Sequence, residues 1–386
     1  MATPHSMPVP LSVQSQAPTA PDASSSPAWQ ARRFGELVTP GGGAGSYRGM
    51  LVVLRRLAGA RLGPALLSAV LASGCGQEGR TASGDATSSQ SDPGSTSTGA
   101  GAGGSGGGSS EPVALRVANW NVHNFVNHLN DSDVDQEEYQ SQSAYEAQRA
   151  AIGDVVDALT PDVMVFSELE NQTVLDDLVE SELAGTYEGR AISVGNDPRG
   201  INVAAISRGA FVSVVTHADE IFTPEGMTGP SYNYARDCLE LHLDVNGRRV
   251  ILLGVHYKAK TSPDDPDKRL AEAHHTREIA DALTIEHPDA AIVILGDFND
   301  LPGSPPYLET VGEPPDVYTD AAEQVAAGDR WTFDFNGALE LVDHQMTNPA
   351  MTGMLEPGSA VIRHGGDVEA ASDHAPIAAT YQVTSP

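Results

Sequence analysis

Cysteine is scarce in this chain, because Cys75 and Cys238 are the only two among 386 residues. A framework of several disulfides is therefore excluded. If Cys75 is modified, as the segment around it suggests, Cys238 has no partner and we expect no disulfide. Stability must then come from an apolar core.

Basic residues are also few, with 22 Lys and Arg against 52 Asp and Glu. From residue 111 to the end the chain has 15 basic and 47 acidic residues, a difference of −32. Such an acidic domain repels polyanions at long range. Any nucleic acid or phosphate substrate must therefore be bridged by metal ions or by a few local cations.

Long apolar runs are absent from the N-terminal third as well. Arg55, Arg56 and Arg61 precede an apolar stretch, 62–72, which is too short to span a bilayer. Small residues then lead into Cys75, a pattern typical of a secretory signal. The ending "LASGC" resembles the lipobox of bacterial lipoproteins, in which the cysteine becomes the lipid-modified first residue of the mature chain.

This resemblance implies an exported lipoprotein, tethered to a membrane at the cell envelope or surface through Cys75. A plain signal peptide, with secretion of the free protein, is the alternative. Residues 1–49 are then a disordered extension, or they precede a true start at Met50. Residues 76–112 are rich in Gly and Ser and read as a flexible linker. The remaining 113–384 form the predicted folded domain.

The folded part alternates strand and helix signals. Predicted strands cover 114–122, 162–169, 200–207, 211–217, 238–245, 249–257, 290–297, 339–346 and 376–383. Predicted helices cover 144–159, 173–183 and 266–286. Asn246-Gly247 is a hairpin turn signal. So many strands with few helices favour an α+β fold of two packed sheets flanked by helices over a doubly wound parallel sheet.

Polar residues follow or end four of the apolar strands, where ligand sites commonly form, and a further polar pair lies next to a fifth strand, 376–383. These residues are Asn121, Glu168, His256, Asp297 with Asn299, and Asp373 with His374. A turn or cap explains each one alone, but not all five together. Carboxylate and amide oxygens suit a hard divalent cation such as Mg²⁺. Attack of water on a phosphate also needs a base and a group that stabilises the oxyanion.

The ordered motifs resemble those of the endonuclease/exonuclease/phosphatase superfamily across most of 113–383. The motifs are Trp120-Asn121, Pro161-Asp162 through Glu168, His256, Gly296-Asp297-Phe298-Asn299, Val342-Asp343 and Ser372-Asp373-His374. The resemblance implies a four-layer α/β/β/α sandwich, built of two mixed sheets flanked by helices. Val255 departs from the pattern, because many members have Asn before this histidine.

Site roles also come from the resemblance. Glu168 would be the principal metal ligand, with Asn121 and Asp373 nearby, and Mg²⁺ the expected ion, with Mn²⁺ or Ca²⁺ as alternatives. Asp297 would align or deprotonate the attacking water beside Asn299.

The remaining roles concern the substrate phosphate. His374, held by Asp343, would contact the scissile phosphate, and His256 would be a second phosphate-facing histidine. Arg236 is a candidate for a phosphate contact, whereas we expect Arg199 and Arg208 to be solvated.

The leading functional hypothesis is a divalent-metal phosphodiesterase that hydrolyses nucleic acid, expected to be a monomer without a protein partner. One alternative is a phosphatase or phosphodiesterase for small or lipid phosphates, of the inositol phosphate or sphingomyelin type. The acidic surface favours a small substrate, while the lack of aromatic-rich insertions disfavours a lipid. A non-catalytic binding module is the third reading, and the completeness of the motif set argues against it.

Overall fold

The computed structural model describes residues 111–131, 134, 136–223, 230–262 and 265–386. The predicted extension 1–49, the signal segment 50–75 with Cys75, and the linker up to residue 110 lie outside the described residues. No helix in the described part of the chain is long and apolar enough to cross a membrane. Cys238 is buried and is not part of a disulfide.

The described residues form fourteen strands, six α-helices and a short 3-10 helix at Ala321–Gln324. The strands are β1 Val113–Phe125, β2 Val163–Leu169, β3 Gly189–Ile192, β4 Asn202–Ser207, β5 Ser213–Val215, β6 Cys238–Val245, β7 Arg248–His256, β8 Ala291–Asp297, β9 Thr319–Asp320, β10 Phe333–Phe335, β11 Ala338–Glu340, β12 Asp343–Thr347, β13 Val361–Ile362 and β14 Ile377–Val383. The helices are α1 Gln142–Leu159, α2 Gln172–Ser181, α3 Asp265–Glu286, α4 Pro305–Val311, α5 Pro349–Thr352 and α6 Gly366–Ala371.

Two six-stranded mixed sheets carry the fold. The first has the order β13-β14-β1-β2-β4-β3, and the second has the order β5-β6-β7-β8-β12-β9. In each sheet the central pair is parallel, β1 with β2 and β7 with β8, while the flanking pairs are antiparallel. The hairpin predicted at Asn246-Gly247 joins β6 to β7, and both turn residues have positive φ, as a type I′ turn requires.

The alternation of side chains along β7 shows how the layers pack. Leu252 belongs to the large apolar cluster that both sheets share, whereas Ile251 and Leu253 belong to a second cluster with helix α3. Helices α1 and α2 contribute Ile152 and Leu178 to the first cluster. The architecture is therefore the predicted four-layer α/β/β/α sandwich.

One predicted strand, 339–346, is in fact two. Strand β11 ends at Glu340 and pairs with β10 in a hairpin, while β12 begins at Asp343 and pairs with β8. Between them, the side chain of Thr332 accepts hydrogen bonds from the backbone N–H groups of Val342 and Asp343, both at 3.1 Å. These bonds replace strand pairing at the break and place Asp343 at the start of β12.

Candidate active site

The register of the strands brings the predicted residues to one end of the sandwich. In the second sheet Asp297 pairs with both His256 and Asp343, because β8 lies between β7 and β12. In the first sheet Asn121 of β1 pairs with Ser167 of β2, the residue before Glu168. Side chains from both sheets therefore face the same cavity.

Gly296 is required for this arrangement. Its φ of +133° lies outside the range that other residues adopt readily, and a Cβ placed there would lie 2.0 Å from the carbonyl oxygen of Val255. The glycine thus lets β7 and β8 approach closely just before Asp297. This close approach explains why the "GDFN" motif begins with glycine.

Glu168 is held in a strained backbone conformation, with φ of +68° in the left-handed region. Its Oε1 accepts a hydrogen bond from Nδ2 of Asn121 at 3.3 Å, and its Oε2 accepts one from the backbone N–H of Asn124 at 2.8 Å. His123 and Asn124 also have positive φ. The strain is concentrated at the cavity, where the surrounding contacts fix the carboxylate.

Asn121 links the two sheets at the site. Its Nδ2 also donates to Oδ2 of Asp297 at 3.0 Å, while its Oδ1 accepts from the backbone N–H of His123. Asp297 further accepts from the backbone N–H and the side chain of Asn299 at 2.7 and 3.2 Å. Glu168 and Asp297, from different sheets, are therefore connected through one amide.

Burial and the charge of Asp343 raise the pKa of Asp297, although His374 and the hydrogen bonds from Asn299 and Asn121 oppose the shift. A carboxylate with a raised pKa takes up a proton more readily near neutral pH. Asp297 therefore has the properties of a general base that accepts a proton from water.

The ring of His374 is paired with a carboxylate through Nδ1, which leaves Nε2 as its other nitrogen. Its Nδ1 donates to Oδ2 of Asp343 at 2.8 Å, and its backbone carbonyl accepts from the indole N–H of Trp120 at 2.8 Å. Burial lowers the pKa of His374, but the charge of Asp343 and the hydrogen bond to it outweigh burial and raise the value to about 10. The ring is therefore an imidazolium at neutral pH, with Nε2 as a second donor.

His256 is almost completely buried, and its Nε2 lies 3.5 Å from Oδ2 of Asp297 and 3.9 Å from Oε1 of Glu168. Burial and the positive charge of Arg236 lower its pKa well below the ordinary value. This histidine is therefore neutral, in contrast to His374. The two rings differ because only His374 has a directly bonded carboxylate.

Asp373, the third predicted metal ligand, is not among the described residues that line the cavity with Glu168 and Asn121. Its Oδ1 is 2.6 Å from Nδ1 of His123, and both side chains are about half exposed. The contact joins the turn before β14 to the end of β1. His123 was not singled out from the sequence, because an isolated histidine after a strand carries no specific signal.

A cavity of about 340 Å³ collects these groups. Its walls include Asn121, Glu168, Arg199, Arg236, His256, Lys258, Asp297, Asn299 and His374. The carboxylate of Glu168, whose side chain is 13% exposed, is a hard oxygen donor that fits a divalent cation of the Mg²⁺ type. Asn121 turns its Nδ2 towards Glu168, so its amide would have to turn over to offer Oδ1 to the same ion. The donor chemistry therefore agrees with a metal-dependent reaction.

Two arginines in the cavity share Asp197. Nε of Arg199 lies 3.0 Å from Oδ1 of Asp197, and Nη2 of Arg236 lies 2.7 Å from Oδ2. Arg199 is partly solvated, with a side chain that is 30% exposed, but it also donates to Asn124 and belongs to the cavity wall. The motif "DPRG", 197–200, is the sequence signal from which a position of Arg199 beside the cavity could have been predicted, because it lies just before β4. Arg208 is 42% exposed and lies outside the cavity, bonded to Asp162.

The profile of the Endonuclease/Exonuclease/phosphatase family matches residues 116–323. Among solved structures, the human Nocturnin catalytic domain with bound sulfate is similar, with 16% identity, 71% of this chain and 95% of that chain covered, and a TM-score of 0.52. TDP2 from Caenorhabditis elegans has 18% identity, 70% and 75% coverage and a TM-score of 0.49. A protein of the family from Beutenbergia cavernae has 18% identity, 70% and 72% coverage and a TM-score of 0.49. A search of curated proteins found no match.

Proposed function

The chain belongs to the endonuclease/exonuclease/phosphatase family, and from this premise we propose that it is an exported phosphodiesterase that hydrolyses nucleic acid. The family and fold make it a metal-dependent phosphoric ester hydrolase. One observation carries the proposal for the site: Asp297 lies between the Asn121–Glu168 pair of the first sheet and Asp343 of the second sheet, which is bonded to His374 before β14. These contacts support a site in which a base, an oxygen-donor set and an imidazolium would surround one cavity.

Glu168 and Asn121 would hold the metal ion, with Asp373 at the edge of the site. When bound, Mg²⁺ supplies Lewis-acid polarisation of the phosphoryl oxygens. Mn²⁺ and Ca²⁺ are the alternatives, because the same oxygen donors accept them.

Asp297 would accept a proton from the attacking water, and Asn299 keeps the carboxylate oriented through its two hydrogen bonds. Nε2 of His374 would donate to a phosphoryl oxygen, which offsets the charge that develops as water attacks. Neutral His256 would face the phosphate from the side of Asp297. Arg236 would contribute positive charge from the cavity wall.

A small phosphate compound is the second candidate substrate, and the surroundings of the cavity favour it. A neighbouring hollow that shares His374 with the cavity is lined by Asp334, Glu369 and Asp373. Carboxylates in this position repel the backbone of a long nucleic acid strand. A short strand or a small phosphodiester meets less of this repulsion.

The cellular location is proposed from the sequence alone. The basic, apolar and small-residue pattern of 50–75, followed by the Gly- and Ser-rich linker, supports export and a lipid anchor on Cys75. The catalytic domain would then be a monomer that the linker tethers to a membrane surface.

A substrate panel tests the proposed function. Purified protein is incubated with plasmid DNA, RNA, bis-p-nitrophenyl phosphate and inositol phosphates, each with Mg²⁺, Mn²⁺, Ca²⁺ or EDTA. We expect metal-dependent cleavage of nucleic acid and of bis-p-nitrophenyl phosphate, and none in EDTA. Cleavage of the inositol phosphates alone would contradict the nuclease assignment.

A further inference from the structure

Arg199 and Arg236 form a charged unit with Asp197 in the cavity wall. Arg199 contacts Asp197 through Nε at 3.0 Å and Nη2 at 3.1 Å, while Arg236 contacts the same carboxylate at 2.7 Å. Among the residues that the structure describes, Asp197 is the only carboxylate in an ion pair with either arginine. Two guanidinium groups therefore share one carboxylate, and one positive charge remains.

Arg199 presents that charge to the cavity. Its side chain is 30% exposed, whereas that of Arg236 is only 3% exposed. The hydrogen bonds to Asp197 and Asn124 use three of its five N–H donors, so two have no partner among the described residues. The buried Arg236 holds Asp197 in place through their ion pair and donates to the carbonyl oxygen of Tyr257. Arg199 is therefore held in place, yet can still bind an anion.

Asn124 fixes the position of Arg199 relative to the proposed metal ligand. The side-chain oxygen of Asn124 accepts from Nη1 of Arg199 at 3.3 Å, and its backbone N–H donates to Oε2 of Glu168 at 2.8 Å. Asn124 thus links Arg199 to Glu168 through two hydrogen bonds. An anion on Arg199 would neighbour the scissile phosphate without replacing it.

The charges around the cavity limit what that anion can be. The cavity contains Arg199, Arg236 and Lys258, while the hollow on the far side of Asp197 is lined by Asp131 and Glu170. Inside the cavity these basic side chains stand beside the carboxylates of Glu168, Asp197 and Asp297, whereas the described linings of the two adjoining hollows contain carboxylates without any Lys or Arg. A substrate suited to this pattern carries its charges close together, unlike a long strand laid across the surface.

We infer that Arg199, braced by Asp197 and Arg236, binds a second phosphate group of the substrate, adjacent to the scissile phosphodiester. The inference rests on the proposed function, because it takes the scissile phosphate to lie at Glu168 and Asp297. The preferred substrates are short nucleotides with a terminal phosphate next to the cleaved bond. Bidentate binding of phosphate by a positioned guanidinium supplies the selectivity.

Calorimetry tests the inference without depending on turnover. The affinities of thymidine 3′,5′-bisphosphate, thymidine 3′-monophosphate and thymidine 5′-monophosphate are compared in Mg²⁺. We expect the full-length protein to bind the bisphosphate at least about tenfold more tightly than either monophosphate, since a charge-assisted hydrogen bond has this magnitude. Arg199→Gln should remove the difference, and Arg199→Lys should retain part of it.

Arg208→Gln is the matched control, because Arg208 lies outside the cavity in an ion pair with Asp162. It should retain the full preference, and circular dichroism checks that each variant is folded. Equal affinity of the wild type for bisphosphate and monophosphates would overturn the inference, as would a folded Arg199→Gln variant with an unchanged preference.

Two further arms separate this inference from the proposed function. A preference for inositol bisphosphate over inositol monophosphate, without one for the nucleotides, would overturn the nucleotide assignment. Cleavage of the dinucleotide TpT tests the proposed function by itself. A protein that prefers the bisphosphate but never cleaves TpT would contradict the proposed activity while supporting the second phosphate site.

Discussion

Nδ1 of His374 lies 2.8 Å from Oδ2 of Asp343, and both side chains are buried. The carboxylate fixes which ring nitrogen faces the cavity and raises the pKa of His374 to about 10, against the opposing effect of burial. The pair joins the start of β12 to the turn before β14. It is the contact on which the proposed stabilisation of the transition state depends.

Asp343→Asn should lower kcat by about 100-fold or more, because loss of the carboxylate leaves His374 neutral and free to change tautomer. Asp320→Asn is the matched control, since Asp320 is bonded to His344 at 2.7 Å in a buried pair outside the cavity. We expect this control to lose stability but to retain kcat when folded. Steady-state kinetics on bis-p-nitrophenyl phosphate measures both, and equal kcat losses would refute the special role of Asp343.

Gly296→Ala should destabilise the protein by at least about 3 kcal/mol, because the new Cβ would meet the Val255 carbonyl at 2.0 Å and the φ of +133° is strained for alanine. Gly209→Ala provides the comparison, since no atom lies within 4 Å of a Cβ there and its φ is not in the positive range. Urea unfolding gives both free energies. A Gly296→Ala protein as stable as Gly209→Ala would show that the close approach of β7 and β8 is not required.

His217 should make stability depend on pH. Its Nδ1 lies 2.8 Å from Glu220 and its Nε2 lies 3.2 Å from Glu240, so both nitrogens donate only when the ring is protonated. Burial lowers the pKa of His217, but the two hydrogen bonds outweigh it and the pKa is raised above 6.5. The native state then binds more protons than the unfolded state, and this stabilisation is lost as pH rises through the raised pKa.

His217→Gln should therefore lower the free energy of unfolding by about 2 kcal/mol at pH 6, from loss of charge-assisted hydrogen bonds, and by less at pH 9. The control His128→Gln changes an exposed ring and should show no such difference. Urea unfolding at both pH values measures the cost. Equal costs of His217→Gln at pH 6 and pH 9 would be incompatible with a protonated His217.

Cys75→Ser should release the protein from membranes if Cys75 carries the proposed lipid. In a bacterial host that makes lipoproteins, the wild type should partition into the detergent phase and the variant into the aqueous phase. Cys238→Ser is the control, because Cys238 is buried in the folded domain. Aqueous partition of the wild type would exclude the anchor.

The long strands and helices were predictable because their patterns extend over six or more residues. Predicted 238–245 coincides with β6, and predicted 266–286 differs from α3 by one residue. The short strands β3, β9, β10 and β13 escaped prediction, since two to four residues carry no period. The β10–β11 hairpin did have a signal, Asn336-Gly337, both with positive φ, between two strands.

The sequence motifs located the residues of the cavity but not their partners. The bond between His123 and Asp373 joins residues 250 positions apart, and no local pattern encodes it. The ion pair of Asp300 with Arg269 at 2.8 Å is equally absent from any local pattern. The bond from Arg199 to Asn124 is also long-range, because it forms only once β1 and β4 belong to one sheet, whereas its carboxylate partner Asp197 lies two residues away in the sequence.

The central claim is that Glu168 holds the metal ion for hydrolysis of a phosphodiester. Hydrolysis of bis-p-nitrophenyl phosphate across a Mg²⁺ titration tests it most directly, with the wild type, Glu168→Gln, and Glu180→Gln as an exposed control. We predict that Glu168→Gln loses about 100-fold or more of the metal-dependent rate while the control keeps it. Unchanged metal-dependent turnover in a folded Glu168→Gln variant would contradict the account.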